Sequence, residues 1–160
     1  MTSPKIVLIQ DSREQAPLDF SRWPEISVEV GTLHSADYSL KGLEDRFGIE
    51  RKSIPDLVAS VTTGRERLVR EMERLRGYDV AAIVVEGTLE QVARGEFRSK
   101  ASPESVLQTL AAWHVRYGVP TLWCGSPAGC AFMVRALARH YLREASIRYE
   151  AILKAHGVAA

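Results

Sequence analysis

Cysteine is nearly absent from this chain. Only Cys124 and Cys130 occur among 160 residues. No second cysteine or histidine stands beside them at ligand spacing, which excludes a disulfide framework and a Cys/His zinc site. Two buried free thiols are the better reading, and they suit a reducing compartment. Long apolar runs are missing as well: none approaches the ~20 residues of a membrane span. The opening MTSPKIVLIQ has no signal-peptide layout, so a cytoplasmic protein with no membrane partner is expected. An excess of one charge is also lacking. The net charge of +1 makes no case for a nucleic-acid binder by itself. The charge is nonetheless uneven, with 12 Lys/Arg against 14 Asp/Glu in residues 1–80 and 9 against 6 in residues 81–160.

What is present is an ordinary globular balance, 46% apolar and 26% charged, in a length that fits one domain with a sizeable core. KIVLIQ (5–10) is a short β-branched apolar run, as in a buried central strand. A proline-punctuated loop follows. ISVEVGTL then alternates, placing Ile26, Val28 and Val30 on one strand face. Residues 35–52 read as two strands around a turn at Lys41–Asp45, completing a β-meander. Ser53-x-x-Asp56 opens a helix to about Thr63, with Pro55 tolerated in its first turn. Gly64 separates it from a second helix with Leu68, Met72 and Leu75 on one face. DVAAIVVEG is another buried strand. Thr88–Gln91 is a capping box for a short helix, and Ser102-Pro103 starts a longer one. VPTLWCG is a last strand, and Ser126-Pro127 opens the last long helix. Strands, helices, strand, helices, strand and helix in this order predict an α/β fold: a central mixed sheet flanked by helices.

FGIERKSIPDL (47–57) carries three consecutive charged residues behind an apolar strand entry. Side chains alternate along a strand, so Glu50 and Lys52 share one side while Arg51 joins Ile49 on the other. A carboxylate and an ammonium so placed suit a bound divalent cation and the charge of a phosphate or attacking hydroxide. Asp37 lies earlier on the same hairpin, and opposed side chains of an antiparallel pair are only ~5 Å apart. Two carboxylates that close repel unless one is protonated or a cation lies between them. Mg²⁺ or Mn²⁺ is the natural resolution. Asp11 and Glu14, flanking Arg13, follow the first buried strand, where α/β sheets favour ligand sites. If strands one and three are neighbours, Asp11, Glu14, Asp37 and Glu50 converge. Phosphodiester hydrolysis needs such a cluster.

These residues resemble the nuclease domain of the XPF (ERCC4) family of structure-specific endonucleases. The family pattern is Asp-x-Arg-Glu after the first strand, then Gly-Asp-Tyr, then Glu-Arg-Lys-x-x-x-Asp. Here the three appear as DSRE (11–14), ADY (36–38) and ERKSIPD (50–56). The likeness continues through LVASVTTGRERL and LWCGSP, so it spans nearly the whole chain. Asp37 followed by Glu50-x-Lys52 also fits the wider PD-(D/E)XK superfamily. The resemblance implies a restriction-endonuclease-like fold and divalent-metal catalysis. It implies Asp11, Asp37 and Glu50 near the metal, Lys52 in water or transition-state handling, and Glu14, Arg13, Arg51 and Asp56 in support. It further implies a short stand-alone bacterial or phage-type member: one domain over 1–160, with its core at about 5–145 and a C-terminal helix at about 146–156. No helix-hairpin-helix module is expected. Ala36 replaces the family glycine, which predicts negative φ before Asp37.

Arg67, Arg70 and Arg74 recur at helical spacing. They read either as phosphate contacts or as a solvated face laced with Glu66, Glu71 and Glu73, the second being slightly favoured for the stripe as a whole. Arg65, in the loop-to-helix segment that the family resemblance places near the site, is the better DNA candidate; Arg65, Arg67 and Arg70 are the candidate DNA contacts. The expectation is therefore a metal-dependent DNA endonuclease acting at branched or flapped structures. Family relatives also imply a homodimer through late helices. A catalytically silent DNA-binding or scaffold subunit is the second reading, and its mark would be a broken acidic constellation. An acid/base hydrolase of another class is the third.

Overall fold

The structure, a computed structural model, describes residues 5–159. The expectations that fall on residues 1–4 and on residue 160 lie outside it. Six strands form one sheet in the order β2-β1-β3-β4-β5-β6. They are β1 (Ile6–Asp11), β2 (Ile26–Gly31), β3 (Tyr38–Leu40), β4 (Phe47–Lys52), β5 (Val80–Val85) and β6 (Thr121–Trp123). Only β3 runs against its neighbours; every other pairing is parallel. The expected mixed sheet flanked by helices is the one observed.

One face carries α1 (Ile54–Val61), α2 (Arg65–Leu75), α3 (Leu89–Ala93) and α4 (Pro103–Tyr117) over Leu57, Met72, Ile83, Val85 and Trp113. The other packs α5 (Pro127–Ala155) and the 18–20 segment over Ile6, Leu8, Tyr38, Phe47, Ile49 and Val84. Four helices begin at a side-chain cap: the hydroxyls of Ser53, Thr88, Ser102 and Ser126 accept from the backbone three residues on. Gly48 lets α2 close onto β4, for a Cβ there would lie 2.8 Å from the Leu75 side chain.

The strands do not form the expected β-meander. β1 lies between β2 and β3, so only β3 and β4 form a hairpin. β2 is consequently an edge strand, and its alternating valines face solvent, Val28 at 39% and Val30 at 68% exposure. Alternation records that one face differs from the other, and an edge position removes the cover. The C-terminal helix expected at about 146–156 is instead the last part of one 29-residue helix from Pro127. Its buried residues end at Ala138, so its final turns stand clear of the body. Among the described residues no helix is long and apolar enough to cross a membrane.

Candidate active site

The parallel strands β1, β4 and β5 end at the same edge of the sheet, and β3 starts there. A cleft of about 490 Å³ opens at this edge, lined by Asp11, Glu14, Asp37, Glu50, Lys52 and Asp56 among others. Backbone bonds fix the relative heights of its acids. The Asp11 N–H donates to the Asp37 carbonyl at 2.8 Å, and the Asp37 N–H donates to the Ile49 carbonyl at 3.1 Å. Asp37 is thereby stitched between the ends of β1 and β4.

Asp11 and Glu14 are neutralised by arginine. Asp11 accepts from Arg13 Nε at 2.8 Å and from the Leu33 N–H at 2.9 Å. Burial alone would raise its pKa, but these bonds and the Arg13 N–H hold it below the ordinary 3.8. Glu14 receives two bonds from Arg51, Nη2 at 2.7 Å and Nε at 3.0 Å. Arg51 Nη1 donates to Glu86 at 2.8 Å. All three side chains are nearly enclosed, at 9%, 4% and 14% exposure for Arg51, Glu14 and Glu86. The Glu14 bonds chiefly hold the Arg51 guanidinium firmly charged.

Asp37 and Glu50 lack such relief. The Arg51 N–H donates to Asp37 at 2.8 Å, and Lys52 Nζ lies 3.1 Å from Glu50. Burial, with the charge of Glu14 added, pushes Asp37 up to about 6 against those contacts. Burial, with Asp37 next to it, pushes Glu50 up to about 8, with Lys52 opposing. Two carboxylates are held near each other at a largely buried strand end without enough positive charge.

These are hard oxygen donors, the class Mg²⁺ and Mn²⁺ accept. Among the described residues no three His, Cys, Asp or Glu side chains are grouped to hold a metal. Asp11 is turned to Arg13 and Leu33, and Glu14 to Arg51. The residues present therefore fit a cation bound through one or two carboxylates and otherwise through water and substrate phosphate, a common Mg²⁺ arrangement.

The turn entering Asp37 overturns one expectation. Ala36 has φ +69, the left-handed region that glycine occupies without strain. Its N–H donates to Glu71 on α2, whose other oxygen pairs with Arg74 at 2.8 Å. Arg74 Nε also donates to Ser35 at 2.9 Å. This bracing holds an alanine where the local chain would favour negative φ.

Arg67 and Arg74 line the cleft together with Glu71, because the helical period places 67, 71 and 74 on one stripe. Arg70 is exposed outside the lining. Arg65 turns to α4, where its guanidinium lies 5.5 Å from the Trp113 ring and 3.3 Å from the Thr109 hydroxyl. Asp56 lines the cleft while its N–H is capped by Ser53. Sequence reasoning missed Glu86 and Glu71. Glu86 was findable, since it follows a buried strand as the Asp11 motif does. Glu71 was hidden among the ion pairs of a charged helix.

A family model described as the ERCC4 domain matches residues 10–137. No curated protein matches. Among solved structures the chain is similar to XPF from Aeropyrum pernix, with 28% identity and a TM-score of 0.69 over 84% of this chain and 61% of that one. It is also similar to XPF from Aeropyrum pernix in complex with DNA, with 26% identity and a TM-score of 0.64 over 87% of this chain and 66% of that one. This chain thus covers less than two thirds of either.

Proposed function

The chain belongs to the ERCC4 domain family, and from that premise we propose that it is a divalent-metal-dependent endonuclease hydrolysing DNA phosphodiesters at branched or flapped structures. The observation that carries this reading is the under-neutralised pair Asp37 and Glu50 with Lys52 beside it, at the mouth of an open cleft.

In this reading Asp37 and Glu50 hold Mg²⁺ or Mn²⁺, while Asp11, expected from the sequence as a third ligand, is engaged by Arg13 and the Leu33 N–H and braces the site beside them. A cation held there would supply Lewis acidity toward the phosphate and a lowered pKa for water. Lys52 orients the attacking water and offsets charge gathering on the phosphate, which a preorganised ammonium does at no reorganisation cost. Arg51 acts as a positioning residue: it ties Glu14 and Glu86 together beneath the site, and its own N–H aims the Asp37 carboxylate. Arg13 steadies Asp11 and lies at the cleft for the substrate backbone. Arg67 stands on the cleft wall as a phosphate contact. Arg65 and Arg70 contribute only if the duplex extends beyond the cleft.

Purified protein should be incubated with flap, fork, four-way and linear duplex DNA in Mg²⁺, Mn²⁺ or EDTA, beside Glu50→Gln. Metal-dependent cutting that the substitution abolishes is expected, with branched substrates cut faster than linear ones. Binding without cutting by the intact protein points instead to the silent-subunit reading.

The two free cysteines accord with a reducing cytoplasm. A homodimer through the late helices is supported by the exposed Ile147, Tyr149 and Ile152 on α5. Light scattering across micromolar concentrations should give twice the mass of the chain; a constant single mass contradicts pairing.

A further inference from the structure

A second groove of about 490 Å³ lies on the other side of α1 from the catalytic cleft. Pro55, Val58 and Thr62 form one wall, and Glu96, Phe97 and Arg98 the other; Ala59 and Thr63 border both hollows. We propose that this groove binds an unpaired, single-stranded arm of the DNA substrate as it leaves the catalytic cleft over α1. The proposal rests on the nuclease reading and names the part of the substrate that this neighbouring surface takes.

The outer wall, residues 96–99, belongs to the segment Arg94-Gly-Glu-Phe-Arg-Ser-Lys100. Arg94, Arg98 and Lys100 are exposed. Among the described residues Arg98 and Lys100 enter no ion pair, and Arg94 meets Glu96 only at 4.0 Å. Three cations against one acid within seven residues give this rim the sign a phosphate chain requires. The segment is braced. The Glu96 N–H donates to the Gln91 carbonyl at 2.9 Å, and the Ala101 N–H to the Ser99 hydroxyl at 3.1 Å. Phe97 is half-buried against the core cluster beneath α1 and α4, which fixes its ring in the groove wall.

An aromatic wall distinguishes the two forms of DNA. A duplex keeps its base faces stacked inside and meets a protein surface with phosphate and groove edges. A single strand presents free base faces, which stack on an aromatic ring while cations track its backbone. An apolar hollow with Phe97 and Arg98 in its wall, and Arg94 and Lys100 flanking that wall in the chain, therefore offers an unpaired arm more than it offers a duplex. Because Ala59 and Thr63 belong to both hollows, a strand crossing α1 passes directly from one to the other.

The test is fluorescence anisotropy with the full chain in EDTA. The probe is one labelled duplex, either blunt or carrying an oligo-dT arm of about ten nucleotides, a length within the span of such surfaces. Intact protein should bind the armed duplex about tenfold more tightly than the blunt one, the scale of one stacked base. The Arg98→Ala/Lys100→Ala double variant should lose that preference and show a shallower salt dependence on the armed probe. Blunt-duplex affinity should stay unchanged. Phe97→Leu, which keeps an apolar plug in the wall, should lose the preference without the change in salt slope. A protein with no arm preference, or variants that weaken both probes equally, overturns the proposal. Cleavage in Mg²⁺, run in parallel, separates the two readings: an arm preference without cutting of any substrate removes the nuclease and leaves the groove.

Discussion

Two pairs of acids share one cleft under opposite electrostatics. Asp11 and Glu14 each face an arginine, and hydrogen bonds hold Asp11 ionised below its ordinary range. Asp37 and Glu50 lie within the same cleft lining, yet burial raises both, to about 6 and about 8. The first pair belongs to the scaffold, where charge is cancelled inside the protein. The second is left with a charge deficit that an external cation can fill. A site shaped for stability alone would have matched both pairs with arginine, so the mismatch marks where chemistry is expected.

The strongest break of this contrast is Glu50→Gln. Cleavage in Mg²⁺ should fall by about a thousandfold or more, the scale of losing a preorganised catalytic charge. The metal-free melting temperature at pH 8 should rise, because a buried repulsion is gone. A variant that cuts at the intact rate sinks the assignment. On the scaffold side, Arg51→Leu strands Glu14 and Glu86 and should cost about 3–5 kcal/mol in chemical denaturation. Arg13, whose guanidinium is largely exposed, should show a far smaller loss on Arg13→Ala. Equal losses would erase the distinction between the buried and exposed arginines.

The pH profile sharpens the same contrast. Asp37 and Glu50 have folded pKa values raised above the ordinary 3.8 and 4.5. The folded state therefore holds protons that the unfolded chain has released, and metal-free stability declines as pH rises from about 4 through about 8. Asp11 runs the other way: its contribution is present above 3.8 and fades as pH falls through its lowered value. Melting without metal should thus be highest on the mildly acidic side. Mg²⁺ should raise it more at pH 8 than at pH 5.5, and Glu50→Gln should flatten the decline. A Mg²⁺ increment independent of pH contradicts carboxylate binding. The smallest effect expected is that of Ala36→Gly, which relieves the left-handed backbone and should stabilise by about 1 kcal/mol. An unchanged denaturation midpoint would mean that the Glu71 bracing already absorbs the strain.

Much of this architecture was legible along the chain. The Ser and Thr caps at 53, 88, 102 and 126 and the buried run at 80–85 all report local preferences, which survive into the fold. The acids of DSRE, ADY and ERKSIPD were legible because strand alternation and strand ends dictate where such side chains point. Val28 and Val30 misled because alternation carries no information on strand order. The packing of Arg65 on Trp113 is invisible in the sequence, because the ring lies more than forty residues away along the chain. The left-handed turn at Ala36 was unreadable for the same reason: the group holding it, Glu71, lies on a helix thirty-five residues later.

By itself the sequence determined where the strands, helix starts and caps fall, and that the acids of DSRE, ADY and ERKSIPD stand at strand ends, since these depend on neighbours within a few residues. The tertiary structure alone decided that β1 inserts between β2 and β3, and that Glu86 and Glu71 complete the networks of Arg51 and Ala36. It also decided which acids meet an arginine and which share the cleft without one. Those outcomes depend on distances between segments far apart in the chain, where burial and unmatched charge arise only once the sheet has closed beneath its helices.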